Sequence, residues 1–258
     1  MSKTLKIGTR DSQLAVWQAE QVKKVLEEKG STCELVYIKS EGDLDLITPL
    51  YEMGVQGIFT RALDMALLNG RIDLAVHSMK DVPTHPAKGI CIPAVLPRGN
   101  YKDVLVLKDR SVRHIGEKRV NPVVIGTSSV RRKAQWLNRY PHDQMENLRG
   151  NINTRLQKVA DNDWYGAVFA AAGLERIGLR EAHMIDLDWM LPAPAQGVIC
   201  ITCRTEDQDV RSLCKEINNP DTYICASVER DFLRALMGGC STPIAALAVI
   251  RENEVFSG

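Results

Sequence analysis

The chain lacks the long apolar runs and the charge bias that mark membrane proteins and nucleic-acid-binding proteins. No apolar run approaches the roughly 20 residues that span a bilayer, and no N-terminal stretch resembles a signal peptide. The net charge is only +1, and aromatic residues (5%) form no strip with basic ones, which argues against nucleic-acid binding. We therefore expect a cytoplasmic protein that binds neither nucleic acid nor membranes.

The cysteines also lack a recognisable pattern. Their number, seven, is odd and their spacing fits no disulfide framework, so reduced thiols are expected. Cys200 and Cys203 have the C-x-x-C spacing of some zinc and redox sites, but they lie in a predicted strand, where residues three apart point to opposite faces. No second ligand pair has suitable spacing. Two packed strand cysteines are the favoured interpretation, and no metal is expected.

The order of predicted elements indicates the α/β class, with room for two ordinary domains and a small third. A strand at 5–9 ends in Gly-Thr and runs into a helix at 13–29, and a strand at 33–39 completes a β-α-β unit. The junction recurs at 123–129. Free N–H groups at a helix N-terminus attract anions, so two such junctions predict two similar domains that face a shared cleft.

Arginines gather near the predicted ends of these elements. Arg131 and Arg132 lie in the first turns of a helix, where each opposes the helix dipole by up to about 1 kcal/mol, so a nearby anion is expected. Arg10, Arg149 and Arg155 stand beside other turns, as does Arg176. One such residue alone is often a surface side chain, but the set predicts a polyanionic ligand, because the guanidinium group pairs well with carboxylate or phosphate.

Lys80 and Asp81 follow a buried strand, Leu74 to Val76, and precede Pro83. In open α/β sheets, chemistry collects at the C-terminal ends of strands, so both residues are site candidates. A solvated ion pair on a turn is the alternative.

Cys240 follows Gly238 and Gly239, which predict the end of a helix whose apolar face includes Phe232, Leu233 and Leu236. The thiol is expected on the turn that follows this helix. A buried loop cysteine is the alternative interpretation.

In sequence order, these segments resemble the motifs of the porphobilinogen deaminase (hydroxymethylbilane synthase) family. The matching stretches are 9–12, 77–83, 126–132, 148–155, 172–176 and 238–243, within a resemblance that covers about residues 5 to 250. It implies two periplasmic-binding-protein-like domains and a small α+β third domain that carries the cofactor. The implied boundaries are 1–98 with 198–217, 103–193, and 220–258, and the third domain is expected to be shortened.

The resemblance also implies the reaction and the roles of the residues. A monomeric transferase would deaminate four porphobilinogen molecules and join them into hydroxymethylbilane, for heme biosynthesis, on a dipyrromethane cofactor linked to Cys240 through a thioether. Asp81 would be the catalytic carboxylate. The implied cofactor-binding residues are Lys80, Thr127, Ser128, Arg131, Arg132, Gly150 and Arg155. The implied substrate-binding residues are Arg10, Ser12, Phe59, Ser129, Arg149, Arg176 and Gln196.

One alternative comes from a different class of protein. A non-catalytic two-domain binding protein for small carboxylate anions would use the same helix ends and arginines. Such a protein has no use for Asp81 and Cys240 together.

Overall fold

The computed structural model describes residues 4–39, 60–112, 115, 121–236, 242–252 and 254–258. Within these ranges the helices are α1 (Gln13–Glu28), α2 (Arg61–Leu68), α3 (Val130–Arg139), α4 (Ile152–Asp161), α5 (Ala171–Arg176), α6 (Gln208–Glu216) and α7 (Pro220–Ala235). The strands are β1 (Leu5–Thr9), β2 (Cys33–Tyr37), β3 (Leu74–Ser78), β4 (Ile90–Val95), β5 (Asp103–Leu107), β6 (Val124–Gly126), β7 (Gln144–Glu146), β8 (Gly166–Ala170), β9 (Ile185–Asp186), β10 (Ile199–Arg204), β11 (Ala248–Arg251) and β12 (Glu254–Ser257).

The first sheet has the strand order β2-β1-β3-β10-β4. Strand β1 is parallel to β2 and β3, as the β-α-β pattern predicted, and β10 is antiparallel to β3 and β4. Successive residues of β3 point to opposite faces: Leu74 and Val76 pack with Val22 of α1, and Ala75 packs with Leu67 of α2. The sheet is thus covered by helices on both sides.

The second sheet repeats this plan with the order β7-β6-β8-β5-β9. Strand β6 is parallel to β7 and β8, whereas β5 is antiparallel to β8 and β9. The fully buried Trp136 of α3 packs on one face with Leu105, and Val104 and Phe169 face the other side. The chain crosses from the first sheet to the second after β4 and returns before β10. Strand β5 therefore enters the second sheet directly after the first crossing, and β10 enters the first sheet after the return. Two similar α/β units, predicted from the repeated junction, are confirmed.

Helix α7 follows the first sheet and packs against the hairpin of β11 and β12. Its predicted apolar face is wrong: Leu233 is buried, but Phe232 and Leu236 are 49% and 53% exposed. The buried face instead includes Glu229 and Arg230, because those charged groups bind polar partners in the first unit and in the segment that crosses to it. Cys240 and the glycines before it lie outside the described residues.

The C-x-x-C cysteines are packed strand residues, as predicted. Cys200 and Cys203 are fully buried in β10 and belong to different core clusters on opposite faces of the sheet. Among the helices that the structure describes, none has the length and apolarity needed to cross a membrane.

Candidate functional site

The first strand–helix junction presents Arg10 and Ser12 beside the end of β1. Ser12 is the N-cap of α1, and its hydroxyl accepts a hydrogen bond from the backbone N–H of Ala15 at 3.4 Å. Arg10 is half-buried. This junction therefore places a guanidinium group next to a helix N-terminus.

The second junction is organised by three hydroxyl groups. Thr127 Oγ1 accepts a hydrogen bond from the Ser129 N–H at 3.2 Å, and Ser129 is the N-cap that accepts from the Arg132 N–H at 3.4 Å. Ser128 donates to Asn147 and accepts from the Leu148 N–H at 2.9 Å. The hydroxyl of Thr127 thus accepts a backbone hydrogen bond, and among the described residues no acceptor takes its own proton.

Arg131 and Arg132 have the nearby anion that the helix dipole requires, and it comes from the chain itself. Asp103, which is fully buried at the start of β5, accepts from Nη2 of both arginines at 2.7 Å. Burial opposes ionisation of Asp103, but Arg132 and Arg131 outweigh it and lower the pKa to about 2. The expected external anion is thus not needed to explain the position of these arginines, although Arg131 Nε is buried without a hydrogen-bond partner among the described residues.

Gln196 connects the two units through this ion pair. Its Nε2 donates to Asp103 Oδ1 at 2.9 Å, and its Oε1 accepts from Lys80 Nζ at 3.4 Å. Lys80 lies with Asp81 in a short 3-10 helix, Met79–Asp81, directly after β3. Burial lowers the pKa of Lys80 to about 8; Asp81 opposes this shift, and Arg132 adds to it.

Arg155 lies where charges from both units meet. Its Nε donates to the carbonyl oxygen of Gly150 at 2.7 Å, and Gly150 takes φ = 111°, which disfavours any residue with a side chain. Burial lowers the pKa of Arg155 to about 10, and the repulsion from Arg132, Arg149 and Arg10 adds to the shift, while Asp81 opposes it. One guanidinium group is therefore within electrostatic range of both strand–helix junctions.

We call this assembly the basic cluster. Its members are Arg10, Lys80, Asp81, Arg131, Arg132, Arg149, Arg155 and Gln196. Among the described residues of this region, the cations outnumber Asp81 and the adjoining Asp103, an excess of positive charge that suits acidic ligands.

Arg176 lies at the crossing between the units. It donates to the carbonyl oxygen of Gly197 at 2.6 Å and lies over the ring of Trp17, 5.8 Å from its centre. Burial lowers its pKa to about 10, against the attraction of Glu175. Arg176 thus joins α5 to α1 and to the returning segment. The remaining two predicted site residues, Phe59 and Cys240, lie outside the described residues.

Helix α7 contributes two buried charges that the sequence did not suggest, because charged residues on a helix are usually solvated. Arg230 donates to the carbonyl oxygens of Met79, Val82 and Pro83, at 3.2, 2.8 and 2.5 Å. It thereby holds the segment that carries Lys80 and Asp81.

Glu229, the neighbour of Arg230, binds the crossing segments. Its carboxylate pairs with Arg98 at 2.6 Å and accepts from the N–H groups of Ala195 and Ala248, at 2.6 and 2.7 Å. Arg98 Nε also donates to the carbonyl oxygen of Gln196 at 2.9 Å. Asp103 was likewise missed, since a single aspartate that opens a strand carries no signal of this role.

Comparison with known proteins identifies relatives along nearly the whole chain. Residues 5–212 match the family model "Porphobilinogen deaminase, dipyromethane cofactor binding domain", and residues 223–256 match the model of that enzyme's C-terminal domain. The probable porphobilinogen deaminase of Methanocaldococcus jannaschii is 42% identical over 251 residues, which are 96% of this chain and 84% of that protein. The chloroplastic porphobilinogen deaminase of Oryza sativa subsp. japonica is 42% identical over 253 residues, 95% of this chain and 70% of that protein. Among solved structures, an ancestral cationic amino acid solute-binding protein aligns with 90% of both chains at a TM-score of 0.51 and 13% identity, a likeness of fold alone.

Proposed function

Since this chain belongs to the porphobilinogen deaminase family, we propose that it is the transferase that joins four porphobilinogen molecules head to tail into hydroxymethylbilane, with loss of ammonia from each. The observation that carries this proposal is the basic cluster, in which Asp81 faces a surplus of cations. Each pyrrole brings two carboxylates, and a growing chain of them needs such a surplus. The alternative, a non-catalytic binding protein for small carboxylates, is not favoured.

The residues present fit the dipyrromethane cofactor of the family. Acidic side chains on the cofactor match the excess of cations, and the buried Arg131 Nε, which has no hydrogen-bond partner among the described residues, suits a carboxylate acceptor. When bound, the cofactor supplies a covalent primer whose free end accepts the incoming pyrrole. We assign its binding to Lys80, Thr127, Ser128, Arg131, Arg132, Gly150 and Arg155, and its attachment to Cys240.

Binding of the substrate is assigned to a second set of residues, whose described members lie at the same junctions and at the crossing. These are Arg10, Ser12, Phe59, Ser129, Arg149, Arg176 and Gln196. Ser12 and Ser129 cap α1 and α3, whose N-terminal N–H groups favour anions. An acidic substrate held between the two junctions bridges the two units.

Asp81 is assigned as the catalytic carboxylate. Loss of ammonia from porphobilinogen leaves a cationic azafulvene, and the surrounding cations would raise the energy of that charge. Asp103 is already bound to Arg131, Arg132 and Gln196, whereas Asp81 is half-buried on a short helix beside Lys80. A fixed carboxylate there accepts hydrogen bonds from pyrrole N–H groups, stabilises the developing charge, and can pass a proton to the departing amine.

Arg230 is assigned as a positioning residue for Asp81. It binds carbonyl oxygens on both sides of Asp81, and it belongs to α7, the last described helix before Cys240. Glu229 connects the same helix to the returning segment at Ala195. Helix α7 therefore holds the segment that carries the catalytic carboxylate, and the same helix precedes the proposed anchor in the chain.

The domain limits, the monomeric state and the cytoplasmic location are retained as parts of the proposal. The domains are 1–98 with 198–217, 103–193 and 220–258. The crossings of the chain between the sheets support the first two. Light scattering on the purified protein tests the monomeric state, and cell fractionation tests the location.

The anchor is tested by intact mass under denaturing conditions. The wild-type protein should exceed its sequence mass by two linked pyrroles, and Cys240→Ser should lose this excess. A bare mass for the wild type, even after incubation with porphobilinogen, would contradict the proposal and favour the carboxylate-binding alternative.

The catalytic role is tested with Asp81→Ala. This variant should keep the added mass but lose turnover by about 10² to 10⁴-fold, because charge stabilisation and proton transfer are both removed. Asp188→Ala is the matched control, since Asp188 is 73% exposed and lies in the second unit. Turnover in Asp81→Ala as high as in the control would exclude Asp81 as the catalytic residue.

A further inference from the structure

Two thiols lie side by side in the first sheet, outside the basic cluster. Strands β4 and β10 are antiparallel, and Cys91 is paired directly opposite Cys203. Their sulfur atoms are 3.7 Å apart, and a disulfide needs them at about 2.05 Å, so a modest movement would join them.

The two thiols differ in their access to solvent. Cys203 is fully buried, whereas Cys91 is partly exposed and lines a cavity of about 500 Å³ with Ile92, Arg211 and Asn218. Burial strongly raises the pKa of Cys203, and the neighbouring Cys91 adds to the shift. Hydrogen peroxide arrives from solvent, so Cys91 meets the oxidant first, and the buried Cys203 is shielded from it.

The pair lies away from the proposed catalytic centre. Cys203 pairs with Leu74 at the start of β3, whereas Lys80 and Asp81 follow the end of that strand. Chemistry at Cys91 would therefore leave the basic cluster in place.

We propose that Cys91 and Cys203 form a peroxide-sensitive thiol pair that closes to a reversible cross-strand disulfide. The Cys91 thiolate attacks hydrogen peroxide, its S–O bond forms as the O–O bond breaks, and the released hydroxide takes up a proton as water. Cys203 then attacks the Cys91 sulfenic acid, the S–S bond forms as the S–O bond breaks, and the Cys203 proton leaves with the hydroxide as a second water. The sum is two thiols and one peroxide giving one disulfide and two waters.

Peptide mapping of the loaded enzyme tests the pair. After brief exposure to hydrogen peroxide and alkylation of free thiols, a disulfide between the peptides with Cys91 and Cys203 should be found, and a thiol reductant should remove it. Cys214→Ala is the matched control, because Cys214 is a buried thiol in the same core cluster as Cys203; it should retain the crosslink. A crosslink from Cys91 to Cys214, or none at all, would overturn the proposal.

The order of the two steps has its own test. In Cys203→Ser the sulfenic acid at Cys91 has no resolving thiol, so dimedone should label Cys91 after peroxide treatment. In Cys91→Ser, Cys203 should remain a free thiol. Dimedone labelling of Cys203 in Cys91→Ser, without labelling of Cys91 in Cys203→Ser, would overturn the assigned order. These readouts are masses of peptides, so they stand apart from turnover and from the outcome for Asp81.

Discussion

Replacing Asp103 with asparagine should strongly destabilise the folded protein. The substitution keeps the size of the side chain but leaves the buried guanidinium groups of Arg131 and Arg132 without their carboxylate. The pKa of Asp103 falls from 3.8 to about 2 in the folded protein. At about 1.4 kcal/mol per pKa unit, the folded protein favours the charged form by roughly 2 kcal/mol more than the unfolded chain does. Uncompensated buried cations add to this loss, so Asp103→Asn should lower the free energy of unfolding by about 3–5 kcal/mol.

Urea unfolding of Asp103→Asn and Asp188→Asn measures this difference. Asp188 pairs with Lys102, the neighbour of Asp103, at 2.6 Å, but it is 73% exposed, so its loss should cost at most about 1 kcal/mol. Equal unfolding midpoints for the two variants would refute the electrostatic account of the second junction.

The pH dependence supplies an independent check. Because the folded-state pKa of Asp103 is depressed, its contribution is present above the ordinary value of 3.8 and is lost as the pH falls toward 2. The wild type should lose its advantage over Asp103→Asn in this window. A constant difference between them across the window would contradict the assignment.

Two further predictions concern the segment that carries Asp81. The pKa of Lys80 is lowered to about 8, so the free-energy cost of its charge in the folded protein is present below pH 8 and is relieved as the pH rises toward 10.5. An acidic pyrrole should restore this charge. Calorimetry near pH 8 in two buffers should therefore detect proton uptake when porphobilinogen binds, and Lys80→Met should abolish that uptake. Arg230→Met should lower kcat by up to about 10²-fold while KM and the added mass are retained, and Arg230→Lys should recover part of the lost kcat. The control Arg234→Met, at an exposed position, should match the wild type. A higher KM with an unchanged kcat would contradict a positioning role.

Local patterns in the sequence were enough to predict the α/β class and the repeated unit. The two Gly-Thr junctions, at the ends of β1 and β6, each combine a short apolar strand with a helix N-terminus, and in the structure Ser12 and Ser129 are the N-caps of these helices. Such features depend on residues within a few positions of one another, so the sequence determines them before any tertiary contact exists. The candidate residues Lys80 and Asp81 were likewise predicted from their place after a buried strand.

Other features depend on residues far apart in the chain. Asp103 meets Arg131 and Arg132 only because β5 enters the second sheet beside α3, and Phe232 is exposed because the opposite face of α7 binds polar groups of the first unit. Nothing in the local pattern of a helix tells a buried arginine from a solvated one, since the difference lies in carbonyl groups about 150 positions earlier in the chain.

The sequence by itself determined which residue types are available: two capped helix ends, a set of arginines, and a carboxylate after a strand. The tertiary structure decided which arginines pair with Asp103 of the same chain, and which other cations are brought together near Asp81. The physical reason is that burial and pairing set the energy of a charge, and both are fixed only when distant segments meet.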